Sequence, residues 1–343
     1  MFFVVKRVVN SDSLKPIKSV LYMKLTLLSA ADIQTALPMP AAMAAMKAAF
    51  AALSTGKATV PLRTALPVPE HAAVSLFMPA YLPGAGLAIK IVSIFPHNAQ
   101  QGRPIIYGLV VALDPATGEP LALLEGAFLT AWRTGAGSGA ATELLARADA
   151  TIGAVIGCGA QARTQAIAID AARSLKEIRV YAPRPERVHA FIAELQPQVK
   201  AKLVAASSSA EAVREADVIC AATTSSQPVF EGNLLKPGAH VNGVGSYTLQ
   251  MQEVDAVTVR RARLFVDSCA SAVAEAGDLV TAHTGPDDWT ELGEVAAGLK
   301  PGRQTPDDIT LFKSVGVAVQ DVAAASAALT EAKRLGLGKR LEF

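Results

Sequence analysis

Thr151-Ile-Gly-Ala-Val-Ile-Gly-Cys-Gly-Ala-Gln-Ala-Arg-Thr-Gln165 is the stretch on which the fold turns. Its run of small and β-branched residues, Ile152 to Ile156, predicts a strand buried on both faces, as in a parallel sheet. The run stops at Gly157, and helix-compatible residues follow from Ala160 to Ala172. Between them stands Gly-x-Gly-x-x-Ala, with Gly157, Gly159 and Ala162 in the three small positions. Gly157 permits the tight turn, Gly159 lets a pyrophosphate approach the backbone, and Ala162 keeps the helix close to the sheet. The helix N-terminus adds free amides and a positive dipole end for phosphate. Such glycines are weak evidence alone; the strand before them and the helix after them supply the context of a dinucleotide site.

Downstream the chain alternates strand and helix. Strands are expected near 151–156, 177–182, 201–205, 217–222, 239–244 and 263–267, the pattern of an α/β, doubly wound parallel sheet. Ile309–Lys313 reads as a further short strand, and Gly316 to Leu335 as an alanine-rich helix that returns to the first part of the chain. Upstream, Met23-Lys-Leu-Thr-Leu-Leu-Ser29 reads as a strand followed by a helix-capping serine. Pro40 to Leu53 is helical, with Met39, Met43, Met46, Phe50 and Leu53 as a packing stripe on one side. From Thr59 to Leu124 the chain consists of short apolar strands broken by Pro, Gly, Asn and Asp. Asp114–Gly118 is one turn between them, so an antiparallel sheet is expected. Leu129 to Ala146 is helical and leads into the dinucleotide strand.

With 343 residues the chain is long for one core, and two domains are expected. The formal net charge is +2, with acids and bases interspersed and no basic stripe, so nucleic acid is not an expected partner. Cys158, Cys220 and Cys269 lie far apart without metal-ligand spacing, and read as reduced, buried residues of a cytoplasmic protein. No apolar run approaches the length of a membrane span, and the start lacks a signal-peptide pattern. Residues 1–22 read as an N-terminal extension.

Several residues invite a chemical reading. Strand Ile178–Ala182 ends where an Asp or Glu would hold the ribose hydroxyls of NAD, and Ala182 cannot. Arg184, with Arg187 beyond it, offers a guanidinium to the 2′-phosphate of NADP instead, although both also suit a solvated surface. Lys90 lies inside Gly86–Phe95, flanked by Ile89 and Ile91. A buried ammonium is costly unless paired, so Lys90 either serves function or faces solvent from a half-buried strand. Were Ile89 and Ile91 core residues, Lys90 would face the cleft between domains. Arg63 and Arg133 sit in apolar surroundings, where their forks suit a carboxylate; singly, each is more often a salt-bridge partner. Thr223, Thr224, Gly245, Ser246 and Tyr247 follow predicted strands at the carboxyl edge of the sheet, where ligands of such folds bind. The five histidines lack zinc spacing, so no metal site is expected.

Taken together and in order, these motifs resemble a known family. Arg63, the Lys90 strand with Asn98 after it, Asp114–Gly118, Leu129-Thr-Ala-Trp-Arg-Thr-Gly-Ala136 and Gly157-Cys-Gly-Ala-Gln161 are its first part. Gly245-Ser-Tyr-Thr248, Val266-Asp-Ser268, Glu275-Ala-Gly-Asp278 and Lys313-Ser-Val-Gly316 complete it. The set resembles the ornithine cyclodeaminase/μ-crystallin family from Met23 onward. That family includes ornithine and lysine cyclodeaminases, archaeal-type alanine dehydrogenases and ketimine or pyrroline-2-carboxylate reductases. The resemblance implies a Rossmann-type NAD(P)-binding domain over 146–315. It also implies an α+β substrate-binding and dimerisation domain built from 23–145 and 316–343, and hence a homodimer.

Carried over motif by motif, Arg63, Lys90, Arg133 and Val315 would bind substrate, with Lys90 catalytic. Arg133, Thr134, Gly157, Gly159, Ala160, Gln161, Thr223, Thr224, Gly245, Ser246 and Ser314 would meet the cofactor, with Arg184 added from the residue argument above. Two departures bear on subtype. Where the cyclodeaminases carry an acid after the small pair, this chain has Tyr247; where they carry a strand-end Asp, it has Ala182. The resemblance therefore implies an NAD(P)H-dependent reductase of a small cyclic 2-imino acid, Δ1-pyrroline-2-carboxylate or its six-membered homologue, with NADP(H) preferred over NAD(H). The alternatives are an alanine dehydrogenase, an ornithine cyclodeaminase, or a non-catalytic NADPH-dependent ligand-binding protein.

Overall fold

The computed structural model describes residues 24–342; the expected extension over 1–22 lies outside the described residues. The first strand, β1 (Lys24–Leu28), ends at Ser29, which caps α1 (Ala30–Ala36). The serine hydroxyl accepts the Asp32 amide while the Asp32 carboxylate accepts the Ser29 amide, a reciprocal cap that satisfies two otherwise free donors. Helix α2 (Met39–Ser54) buries Met39, Met43, Met46 and Phe50. Leu53, expected on the same stripe, is only partly buried at its rim.

Strands β2 (Thr64–Val68), β3 (Ala73–Leu82), β4 (Gly86–Ile94), β5 (Ile106–Leu113) and β6 (Pro120–Glu125) form an antiparallel meander. Its last turn closes because the Asp114 carboxylate accepts the amides of Ala116 and Thr117. Helix α3 (Gly126–Leu145) begins three residues earlier than the sequence suggests. The Glu125 carboxylate accepts the amides of Ala127 and Phe128 and so acts as the cap. This helix is almost wholly buried and connects the two halves of the molecule, packing on α2 and on α4 (Ala160–Ala172). Small residues permit that closeness: a Cβ on Gly135 would lie 2.6 Å from the Thr164 carbonyl oxygen, and one on Gly139 2.8 Å from Met43 Sδ.

The second sheet runs β7 (Ile152–Ile156), β8 (Glu177–Tyr181), β9 (Lys202–Ala205), β10 (Val218–Ala221), β11 (His240–Gly243), β12 (Ala262–Val266), β13 (Trp289–Glu291) and β14 (Ile309–Lys313). Its spatial order is β13-β12-β14-β11-β10-β7-β8-β9, and every pair is parallel. The chain runs outward from β7 to β9, then restarts on the other side with β10. The carboxyl ends of β7 and β10 therefore form the switch point at which such sheets bind ligands. Helix α4 and α5 (Pro185–Leu195) carry the chain between the first three strands; α6 (Ser209–Val213), α7 (Ala256–Arg261), α8 (Cys269–Glu275), α9 (Gly277–Thr281) and α10 (Leu292–Ala296) are shorter. Strand β13, at three residues, is too short for its periodicity to show in the sequence.

The long last helix, α11 (Ala318–Leu335), starts two residues later than expected because Gly316 has φ +85°, a left-handed conformation that no helix continues. It packs on α1, α2, β3 and β4. The final strand, β15 (Lys339–Glu342), pairs antiparallel with β1, which itself lies parallel to β6. The first sheet is thus mixed, in the order β15-β1-β6-β5-β4-β3-β2. Its inner face is core: the cross-strand row Met78–Lys90–Val110–Leu124 is buried throughout.

Candidate active site

Lys90 belongs to that inner row, which corrects one expectation. Ile89 and Ile91 lie on the outer, partly exposed face of β4, and it is Lys90 that points inward, only 1% exposed. What makes this tolerable is Asp321 in the first turn of α11. Its Oδ2 lies 2.8 Å from Lys90 Nζ, and its Oδ1 accepts a hydrogen bond from Arg133 Nε at 2.9 Å. Arg133 Nη1 donates to Gln320 Oε1 at 2.8 Å, and the same oxygen accepts the Val317 amide. One carboxylate therefore serves two buried cations. Burial above all, then the Arg133 charge, lowers Lys90 to about 7, while Asp321 pulls the other way.

Arg63, just before β2, reaches across to the second half of the molecule. It forms a bidentate ion pair with Glu275 at the end of α8, and its Nη2 also donates to the Val315 carbonyl at 3.3 Å. Its charge is felt at Lys90. The Ser314–Gly316 segment between these groups is fixed by Asp267, at the end of β12. Asp267 Oδ2 accepts from Ser314 Oγ at 2.8 Å, the Val315 amide at 2.9 Å and the Gly316 amide at 2.7 Å. Gly316 is needed at this point: a Cβ there would lie 2.9 Å from Arg133 Nη1. The expected substrate set, Arg63, Lys90, Arg133 and Val315, is thus one connected cluster.

The glycine-turn and strand-end members of the expected cofactor set lie at the switch point. Gly157 has φ +114°, and a Cβ on it would lie 2.5 Å from the Ala222 carbonyl oxygen, so the first glycine is required sterically. Around Gly159 a Cβ would meet nothing within 4 Å, and the N-terminus of α4 has no side-chain cap. Ala162 is fully buried. Gln161, in the same turn, holds a buried Oε1 with no partner. An open cradle, uncapped amides and an unpartnered polar atom fit the diphosphate and ribose of a dinucleotide. Thr223 and Thr224 follow β10, while Gly245 and Ser246 follow β11, side by side at the carboxyl edge. Thr134, one residue after Arg133, spends its hydroxyl on the Thr130 carbonyl within its own helix.

Arg184 stands exposed at the start of α5, beyond Tyr181, whose carbonyl accepts the Gly157 amide. Arg187, one turn on, is near enough to Cys158 in the glycine turn to oppose the rise that burial gives that thiol. Cys220 is fully buried, with burial pushing its thiol up to about 12, whereas Cys269 is half-buried, not buried as expected. His240 is neutral in the core, pushed down by burial to about 3 and bonded to Thr310 and Asn242. Among the described residues no group of three His, Cys, Asp or Glu side chains could hold a metal. Nor is any single helix among them long and apolar enough to cross a membrane.

Sequence reasoning missed Asp321 and Gln320, and left Asp267 and Glu275 inside motifs without roles. Asp321 carried a readable signal, an acid beside Gln320 among the valines and alanines of a helix start. Asp267 and Glu275 carried none, since their partners are backbone amides and a distant arginine.

Residues 23–334 match the model of the ornithine cyclodeaminase/mu-crystallin family. A Δ1-pyrroline-2-carboxylate reductase of Bacillus cereus is 39% identical over 307 residues, covering 86% of this chain and 94% of that protein. The structure of Thermococcus litoralis Δ1-pyrroline-2-carboxylate reductase in complex with NADH and L-proline superposes with a TM-score of 0.88 at 38% identity, covering 92% and 99% of the two chains. An archaeal alanine dehydrogenase dimer with bound NAD gives 0.86 at 30% identity, covering 94% and 100%.

Replacing Asp321 by Asn would leave Lys90 and Arg133 buried without their shared counter-charge. Breaking a buried pair in this way costs about 3–5 kcal/mol. Urea unfolding of Asp321→Asn should show a loss of that size, against a negligible change for the exposed-pair variant Glu331→Gln, whose partner Arg334 is solvated.

Proposed function

The chain belongs to the ornithine cyclodeaminase/mu-crystallin family, and from that premise we propose that it is an NAD(P)H-dependent reductase of small cyclic 2-imino acids, converting Δ1-pyrroline-2-carboxylate to L-proline or the six-membered homologue to L-pipecolate. The observation that carries this reading is the buried Lys90–Asp321–Arg133 cluster, whose ammonium is lowered to about 7 by its burial. A donor so tuned gives up a proton readily near neutral pH, which is what protonation of an imine nitrogen asks of it. The family resemblance to two reductases and the NADH-and-proline complex of one of them support the same reaction.

When bound, the reduced nicotinamide supplies the hydride. The chain's own residues do the rest. With their other nitrogens held by Glu275, Asp321 and Gln320, Arg63 and Arg133 each have one Nη left for the substrate carboxylate, orienting the ring and excluding neutral imines. Lys90 hands its proton to the imine nitrogen, which makes the adjacent carbon electrophilic, and is left as a neutral amine. Asp321 keeps the ammonium pointed inward, and Asp267 holds Ser314, Val315 and Gly316 beside both arginines. The absence of an acid at Tyr247 removes the group that the resemblance ties to deamination, which favours a reductase over a cyclodeaminase.

The preferred cofactor on this reading is NADPH, with NADH accepted. Ala182 offers the ribose no carboxylate, Arg184 stands at the start of α5 beyond the β8 end, and Arg187 lies near Cys158 in the glycine turn. The assembly is a homodimer through the outer face of the first sheet. There the row Phe77–Ile91–Leu109 adjoins the row Pro79–Ile89–Val111–Leu123, and the pairing extends to Tyr107 at 50% exposure. An apolar sheet face left this open marks an interface. The three unpaired thiols suit a reducing, cytoplasmic setting.

Lys90→Met keeps the stem and removes the proton. It should fold, bind NADPH and lower kcat/KM for Δ1-pyrroline-2-carboxylate by about a hundredfold or more, read as NADPH oxidation at 340 nm. The proton-bearing form of Lys90 is lost as pH rises through about 7, so wild-type reduction should decline above that pH while proline oxidation rises. Near wild-type turnover in the variant would remove Lys90 from the mechanism. Arg184→Ala should raise the KM for NADPH roughly ten- to a hundredfold, the worth of a charge-assisted contact, and leave NADH nearly unchanged; equal loss with both would show that it does not read the phosphate. Sedimentation at micromolar concentration should give a dimer, and a lone monomer would refute the sheet-face interface.

A further inference from the structure

A second buried charge cluster lies outside the Lys90 site. Glu253, in the loop between β11 and α7, is fully buried, and its carboxylate makes no bond to a cationic side chain. Its Oε1 accepts the Thr223 amide, and its Oε2 accepts the Gly245 amide at 2.6 Å and the Ser246 amide at 3.1 Å. These amides stand just beyond the ends of β10 and β11, neighbouring strands at the switch point. A parallel ladder gives such strand-end amides no further partner; here one carboxylate gathers three of them from two loops.

The carboxylate is itself held. The amides of Glu253 and Val254 donate to Asp278 Oδ1 at 2.6 and 3.0 Å, and Asp278 Oδ2 pairs with Lys313 Nζ at 2.7 Å, both side chains wholly buried. Lys313 Nζ also donates to the Ser246 carbonyl at 2.6 Å. The Ser246 peptides are therefore gripped from both sides, amide by Glu253 and carbonyl by Lys313, and its Oγ donates to the Met251 carbonyl. Gly245 leaves no room for a Cβ, which would lie 2.5 Å from Glu253 Oε1. Burial raises Glu253, and Lys313 and the Thr223 amide act against that rise.

We infer that Glu253 is a positioning residue for the nicotinamide half of the cofactor, acting through the Thr223 and Gly245–Ser246 loops and braced by the Asp278–Lys313 pair. The inference rests on the cofactor reading above, and the placement is selective. The glycine turn and α4, which suit the diphosphate, make no bond to this cluster. A loss of the Glu253 carboxylate loosens the far side of the switch point and leaves the phosphate cradle in place. A role in folding alone would weaken both halves together.

Two ligands separate these outcomes: NADH, and ADP-ribose, which lacks only the nicotinamide ring. Glu253→Gln keeps the shape but puts an amide NH2 against a backbone N–H donor. Its affinity for NADH, by calorimetric titration, should fall about tenfold or more while that for ADP-ribose stays within twofold, with kcat reduced in the same variant. Glu253→Asp keeps the buried charge, withdraws it by one methylene and should show a smaller loss of the same selectivity. It decides the matter if the glutamine variant does not fold. Equal losses for the two ligands, or no loss for either, would overturn the positioning role. Failure of the wild-type protein to bind NADPH as well as these two ligands would instead overturn the cofactor reading itself.

Discussion

Asp321 is the group that the buried charge of the first half of the molecule cannot do without. Two cations, Lys90 on β4 and Arg133 on α3, are taken out of water, and a single carboxylate compensates both. Desolvating an ammonium and a guanidinium costs several kcal/mol each, and only well-placed hydrogen-bonded ion pairs return that free energy. The arrangement is electrostatically poised as a result. Burial and Arg133 push the Lys90 proton off, Asp321 holds it on, and the balance falls near neutrality. Elsewhere in the core, His240 is driven down to about 3 and Cys220 up to about 12, both away from that range.

Elsewhere in the molecule carboxylates hold backbone. Asp267 fixes Ser314–Gly316, Glu253 gathers Thr223, Gly245 and Ser246, and Asp217 Oδ2 accepts the amides of Thr151 and Ile152 where β7 begins. Each satisfies two or more amides that strand pairing leaves free. A loop pinned by its amides keeps its shape while its side chains and carbonyls stay available, which is the division of labour a binding site needs. Arg63 works across the same gap by a different means, joining the segment before β2 to Glu275 on α8 and to the Val315 carbonyl.

The two halves of the molecule contribute different chemistry to that gap. The parallel sheet offers an uncapped helix end and an open glycine, suited to phosphate; the mixed sheet and α11 offer buried charge, suited to a small anion. Helix α3 brings the two together because its glycines and alanines let α2 and α4 approach closely on either side. Arg133 lies on this same helix, so the residue that pairs with Asp321 is carried by the element that fixes the spacing between halves.

Local chemistry was enough to read much of this from the sequence. Ile152–Ile156 and the glycines after it could form only a buried strand and a tight turn into a helix, and Ser29 with Asp32 could cap only a helix that starts there. Alternation along β4 put Lys90 opposite Ile89 and Ile91, but left open which face was buried. The ordered set of motifs from Arg63 to Gly316 further carried the family. Tertiary structure alone decided that the Lys90 face is the inner one, because the choice depends on α11 arriving some 230 residues later, about the separation of Lys90 and Asp321, with a carboxylate in its first turn. It alone decided the start of that helix, through the left-handed Gly316, and the roles of Asp267 and Glu253. Those carboxylates bond to amides of distant loops, and an amide has no identity in a sequence: which ones a buried acid will satisfy is settled only when the strands that carry them lie side by side.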